Sequence, residues 1–209
     1  MSILQKIWSQ PNRLGNLFSL LRGVILHRGA IFPGPYLKLV KRGKIVTNGG
    51  KVFLGFLSNQ VGLSPGTRGI VRISNSGVLE TYGTVRIAQG CKIYVAGKLK
   101  IGANTYINPN TLIFARTEIS IGEDCAISWD CQILDDDFHE INYSGSNQAS
   151  PITIGNHVLV ASQSIILKGV TIGDGCVIAA GSVVTKDVPA GCLAGGVPAR
   201  VLRENVIWK

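Results

Sequence analysis

Residues 154–190 read IGNHVLVASQSIILKGVTIGDGCVIAAGSVVTKDVPA, and an aliphatic residue or alanine returns at every sixth position: Ile154, Val160, Ile166, Ile172, Ile178, Val184 and Ala190. A helix repeats its side-chain directions about every 3.6 residues and a strand every two, so neither produces this period. A coil with three flat faces does. Each six-residue unit then supplies one short strand and one corner, three units close a triangular turn, and aliphatics one turn apart stack inside the prism. Glycine, asparagine and aspartate suit its corners because they adopt left-handed backbone angles at low cost.

The same period runs upstream with interruptions. Ile101, Ile107 and Ile113 form one run and, after a slip of two residues, Ile121, Ile127 and Ile133 form another. Val71 to Leu99 keeps apolar alternation, with Ile87, Ile93 and Leu99 in a looser register, and reads as irregular first coils. From Ile133 to Ile154 is 21 residues, three more than whole units require, so a segment leaves the coil there. That segment, LDDDFHEINYSGSNQASPIT, is polar and sets three aspartates beside a histidine. In a solenoid such an insertion is an excursion from one corner, a common place for function.

A chain of 209 residues is long enough for one or two domains, and a solenoid makes it one. Its 26 glycines show no Gly-X-Y period, which leaves the corners as their use. The five cysteines, Cys91, Cys125, Cys131, Cys176 and Cys192, are odd in number and lack CxxC spacing, the pattern of buried, reduced thiols in a cytoplasmic protein. Eight of the 21 basic residues lie in the first 44, so the net charge of +9 is concentrated at the N-terminus. Between Leu14 and Leu26 an apolar helical face is interrupted by Arg22. The segment is too short and broken to span a bilayer and lacks a secretory cleavage site. It suits a cap over the open end of the solenoid or an oligomer contact, and as a second use a peripheral contact with the inner membrane surface. Nucleic acid is not an expected partner, because no basic stretch is interleaved with stacking aromatics.

From Ser150 to Glu204 the sequence resembles the C-terminal half of the hexapeptide acyltransferases, through the segments PITIG, GVTIGD, AAGSVVTKD and GGVPARV. Within them it is similar above all to the galactoside, maltose and xenobiotic O-acetyltransferases and their relatives that decorate bacterial surface glycans. The resemblance implies an all-β solenoid, a left-handed parallel β-helix, assembled as a homotrimer. It also implies acetyl-CoA as donor with no metal required, and active sites in clefts between subunits. The organisation expected is a basic amphipathic helical segment over 1–45, irregular coils over 46–100, the acyltransferase core over 101–200 with a protruding loop at 134–152, and a tail over 201–209.

Moving an acetyl group from a thioester to a hydroxyl requires a base to take the hydroxyl proton, and histidine accepts and returns protons near neutral pH. Of three histidines, His27 lies in the apolar N-terminal region and His157 in a repeat, where IGNHV has the form of a corner. His139 lies in the excursion, and the resemblance puts the catalytic base there. A carboxylate on the other ring nitrogen would fix its tautomer. Asp137 is the candidate, with Asp135, Asp136 and Glu140 left open and loop-amide capping as the competing use. By resemblance, Ala161 and Ser162 flank the thioester arm of the coenzyme and offer a backbone amide to the oxyanion. Ala180 and Gly181 leave room for the arm, and Thr185, Lys186 and Arg200 meet the adenine and phosphates. Asn108 matches the family's acceptor-binding asparagine. Arg116 stands where the family has an aspartate, which points to a different, anionic sugar. Leu159 replaces the family's tryptophan against the arm, and Trp129 is the aromatic candidate to compensate.

Two rivals share the fold. A gamma-type carbonic anhydrase needs three histidines around zinc, which a lone loop histidine does not supply. A non-catalytic scaffold has no use for the loop histidine together with the VTKD and VPAR elements.

Overall fold

The computed structural model describes residues 30–34, 37–56, 68–139 and 149–209. Among them are strands and no helix, so nothing in the described residues is a helix long and apolar enough to cross a membrane. Successive strands fall in turn on three sheets of nine, seven and six strands, called sheets I, II and III. Within each sheet a strand pairs in parallel with the third strand after it. The fold is thus a left-handed parallel β-helix.

Inward positions form three aliphatic walls. Ile87, Ile107, Ile127, Val160 and Ile178 stack on sheet I, Ile93, Ile113, Ile133, Ile166 and Val184 on sheet II, and Ile101, Ile121, Ile154 and Ile172 on sheet III, all buried. Burial removes each side chain from water and sets it against its copy one coil away, which is the main source of stability in such a stack. The five cysteines are free and buried, and burial pushes the Cys91 thiol up to about 12.

Coil length explains the slips in period. Ile113 pairs with Ile133, twenty residues on, whereas Ile166 pairs with Val184, eighteen on. The extra pair widens the corner between sheets II and III, where Arg116 and Thr117 separate the strands Leu112–Ala115 and Glu118–Ile121. At the C-terminal end the period breaks again. Ile172 bridges Val188 and Ile178 pairs with Ala194, so Val188 fills the inward position and Ala190 is exposed in a turn. The strand Ala199–Arg203 then folds back antiparallel on Leu193–Gly196 and ends sheet I.

The excursion is larger than the hexad count suggests. Ile133 pairs with Ile166, thirty-three residues on, so the loop replaces one corner between sheets II and III and carries thirteen residues more than the coil below. Its middle, 140–148 with Glu140, lies outside the described residues, as do His27 and the amphipathic segment between Leu14 and Leu26. Coil strands begin earlier than residue 46: Ile31–Pro33, Leu37–Lys41 and Lys44–Asn48 already pair with the next coil. Lys38, Lys41 and Lys44 are exposed positions of those strands.

Corners stack as tightly as walls. A Cβ on Gly122 would lie 2.5 Å from the carbonyl oxygen of Gly155, one coil away, so here glycine is required by crowding. Gly122→Ala is expected to destabilise the fold by about 2–3 kcal/mol, read as a lower urea midpoint at unchanged slope.

Candidate active site

His139 is exposed, lies outside any strand, and has no hydrogen bond or ion pair from its ring to another described residue. The chain that leads to it is held by all three aspartates. Asp135 is fully buried and turns back over the widened corner, where its carboxylate accepts the N–H groups of Arg116 and Thr117 and the Thr117 hydroxyl, each at 2.8 Å. Asp136 is buried as well. One of its oxygens accepts the Phe138 N–H, and the other forms an ion pair with Arg116 Nε at 2.8 Å. Asp137 pairs with Lys168 Nζ at 2.5 Å.

These contacts show what two of the expected residues meet within one chain. Asp137, expected on the imidazole, is held by the ammonium of Lys168, which register places one coil further on beside it. Arg116, expected at the acceptor, is drawn to Asp136, whose side chain has no exposed surface and takes a cation as its partner. Phe138 was missed altogether. It adopts φ 65°, unusual for a bulky residue, and its ring meets Phe114 edge-on at 4.6 Å. Lys168 was also missed, although it follows Ile166 by two residues as Asp135 follows Ile133, a relation that hexad counting contains.

The residues expected around the coenzyme arm occupy another edge of the prism, the corner between sheets I and II. There Asn108, Trp129, Ser162 and Gly181 belong to successive coils, joined by N–H bonds from Asp130 to Pro109, Gln163 to Trp129 and Gly181 to Ser162. The Ala161 N–H donates to the Ile178 carbonyl and is therefore spent on the coil, whereas the Ser162 N–H has no backbone acceptor among the described residues. Gly181 adopts φ 68°, and a Cβ there would meet nothing within 4 Å, so the space above it is open. The indole N–H of Trp129 is buried without a partner, and Leu159 is partly buried beside this corner. Thr185 and Lys186 are exposed on the histidine's side, between sheets II and III, and Arg200 is exposed on the return strand. Sheet II separates the two groups within one chain. Asn108 and Arg116 stand at opposite ends of the strand Leu112–Ala115 and do not meet.

His157 has a structural place. It takes the left-handed corner position at φ 52°, its ring stacks on Trp208 at 4.3 Å, and the indole donates to the His157 carbonyl at 2.8 Å. Among the described residues no three His, Cys, Asp or Glu side chains gather as a metal site.

Residues 151–186 match the family of bacterial transferase hexapeptide repeats (six repeats). A 24.8 kDa protein in the cps region of Klebsiella pneumoniae, itself uncharacterized, is 34% identical over 204 residues, covering 96% of this chain and 91% of that one. Galactoside O-acetyltransferase of Escherichia coli (strain K12) is 42% identical over 66 residues, 32% of each chain, so this chain matches about a third of that enzyme's length. Among solved structures, the polySia-specific acetyltransferase NeuO superposes with a TM-score of 0.56 at 28% identity, over 83% of this chain and 89% of that one. Taken with the three-walled coil and the loop histidine, these likenesses identify the chain as a member of the hexapeptide-repeat acyltransferase family.

Proposed function

We propose that the protein transfers an acetyl group from acetyl-CoA to a hydroxyl of a sugar or glycan, with His139 as general base, in a cytoplasmic homotrimer. The observation that carries this reading is the division of the expected site between two edges flanking sheet II. His139 and Lys186 lie on one edge, and Ser162 and Gly181 on the other. Such a division suits a cleft between two prisms, where the histidine edge of one copy faces the open corner of the next. Outward residues of sheet II in the last coils, Leu134, Ile165, Leu167 and Val183, are apolar and only partly buried, which supports association of copies there.

The chemistry then follows from the side chains. His139 takes the proton of the acceptor hydroxyl as its oxygen attacks the thioester carbonyl, and returns it to the departing coenzyme sulfur. The Ser162 N–H is the free amide suited to the developing oxyanion, in place of the Ala161 amide. The open space over Gly181 suits the thin arm of the coenzyme, and Lys186 and Arg200 supply cations for its phosphates. Asn108 remains the candidate for an acceptor hydroxyl, while Arg116 and Asp137 act by holding the loop.

The test is to offer acetyl-CoA with a panel of saccharides, follow thiol release, and identify the product by mass. Release that depends on a saccharide and yields an O-acetyl sugar is the expected result. Failure of acetyl-CoA to bind, or acetylation only of amines, overturns the reading.

A further inference from the structure

The return strand Ala199–Arg203 is the last of sheet I and, among the described residues, pairs on one side only, with Leu193–Gly196. Its start lies over the open corner between sheets I and II. Arg200 pairs with Gly195, a Cβ on Gly195 would stand 2.9 Å from that of Ala179, and the Gly196 N–H donates to the Ser182 hydroxyl at 3.2 Å. The Arg200 guanidinium donates to the Ala199 carbonyl at 2.8 Å, so the cation is tied to its own strand and moves with it. After Arg203 the chain descends the opposite corner, between sheets III and I. There the Val206 N–H donates to the Gly191 carbonyl at 2.9 Å, and Trp208 reaches His157, two coils below the return strand's partner. The two rings stack 4.3 Å apart and 8° from parallel. The indole N–H donates to the His157 carbonyl at 2.8 Å, and His157 Nε2 meets the Trp208 carbonyl at 3.1 Å. A carbonyl only accepts, so Nε2 is the nitrogen that carries hydrogen. His157 is itself fixed, because its N–H donates to the Glu123 carbonyl of the coil below at 2.8 Å.

We infer that residues 204–209 form a strap and that Trp208 and His157 are positioning residues for the donor: by anchoring the far end of the return strand they hold Arg200 where the coenzyme phosphates meet it. The inference rests on Arg200 meeting those phosphates, as proposed above, and adds what keeps it there. An antiparallel pair of strands is marginal by itself, and this one gains little from burial, since Arg200, Val201, Leu202 and Arg203 are all exposed. The stacked indole supplies the missing apolar contact, and its two reciprocal hydrogen bonds admit one orientation. A guanidinium already in place loses less freedom on meeting a phosphate than one that must first be ordered, so anchoring the strand strengthens binding without touching the ligand. The anchor lies on the edge opposite sheet II and therefore outside the contact proposed between copies.

The test is made on the full chain. In Trp208→Ala, CoA affinity by titration calorimetry should fall about fivefold and KM for acetyl-CoA should rise to match, with kcat within about twofold of wild type. Hydrogen exchange at Ala199–Arg203 should quicken while the wall strands exchange as before. His157→Asn keeps the left-handed corner and should lose as much affinity, whereas Trp208→Phe keeps a stacked ring and should retain most of it. Ile207→Ala, in the same segment but 87% exposed, should change nothing. Arg200→Ala should weaken CoA, and adding Trp208→Ala to it should cost nothing more, because the strap acts through that cation. S-acetylpantetheine, which has no phosphates, should turn over alike in wild type and Trp208→Ala. Wild-type CoA affinity in Trp208→Ala, unchanged exchange of the return strand, additive losses in the double variant, or an equal loss with S-acetylpantetheine each overturns the strap. Sugar acetylation with strap-independent CoA binding defeats the strap alone. Strap-dependent CoA binding with no sugar acetylated defeats the proposed function and leaves the strap standing.

Discussion

Replacing His139 by alanine is expected to lower kcat for acetyl transfer by on the order of 10²–10⁴ while leaving acetyl-CoA affinity nearly unchanged. The separation of the two effects comes from geometry. His139 projects from the corner between sheets II and III, and the residues proposed for the coenzyme arm lie on the corner between sheets I and II. Removing an exposed imidazole that makes no hydrogen bond to a described residue also leaves the coil intact, so the loss belongs to chemistry and not to folding. A sugar hydroxyl is a weak nucleophile near neutral pH, and without a base its proton must pass to water during attack. Steady-state kinetics, with coenzyme binding measured on the same preparation, check the result. A variant that keeps most of its turnover removes His139 from the mechanism.

The repeating walls were legible because a period of six has one common physical cause, and every six-residue position from Ile154 to Val184 is buried as expected. The looser upstream positions Ile87, Ile93 and Leu99 turn out to share those walls, the register being disturbed only by two added residues at one corner. Ala190 misled because it keeps the count although the last coil is shortened and Val188 takes the interior. The site was legible in part. A histidine in a polar excursion is visible in one dimension, but the partners of DDD are set by neighbouring coils, through Arg116 and Lys168, and those pairings depend on the exact coil length. Phe138 carried no signal, since nothing in the sequence distinguishes an aromatic residue at positive φ from one in an ordinary strand. The contacts of Arg72 with Tyr94 and of Tyr94 with Phe114 were invisible for the same reason, since these residues stand about twenty apart in sequence and become neighbours only when the coil closes.

Asp135→Ala is expected to cost about 3–4 kcal/mol, a fall in Tm of roughly 10 °C and a large fraction of the stability of a typical domain. Its carboxylate is buried and accepts three hydrogen bonds, two of them from the backbone N–H groups of Arg116 and Thr117 at the widened corner. Alanine leaves those donors without an acceptor at a partly buried corner, and that penalty exceeds the net worth of the bonds themselves. Asp135→Asn keeps one acceptor oxygen and should cost about half as much. The effect does not stop at stability. Asp135 is the first residue of the loop that bears His139, and with its anchor gone Asp136 and Asp137 must hold the root through Arg116 and Lys168 alone. Turnover measured well below the lowered Tm should fall severalfold in the alanine variant and recover most of the loss in the asparagine variant, with acetyl-CoA affinity unmoved in both. An alanine variant with wild-type Tm shows that the corner finds other acceptors, and one with lowered Tm but wild-type turnover shows that the anchor serves the coil and not the histidine.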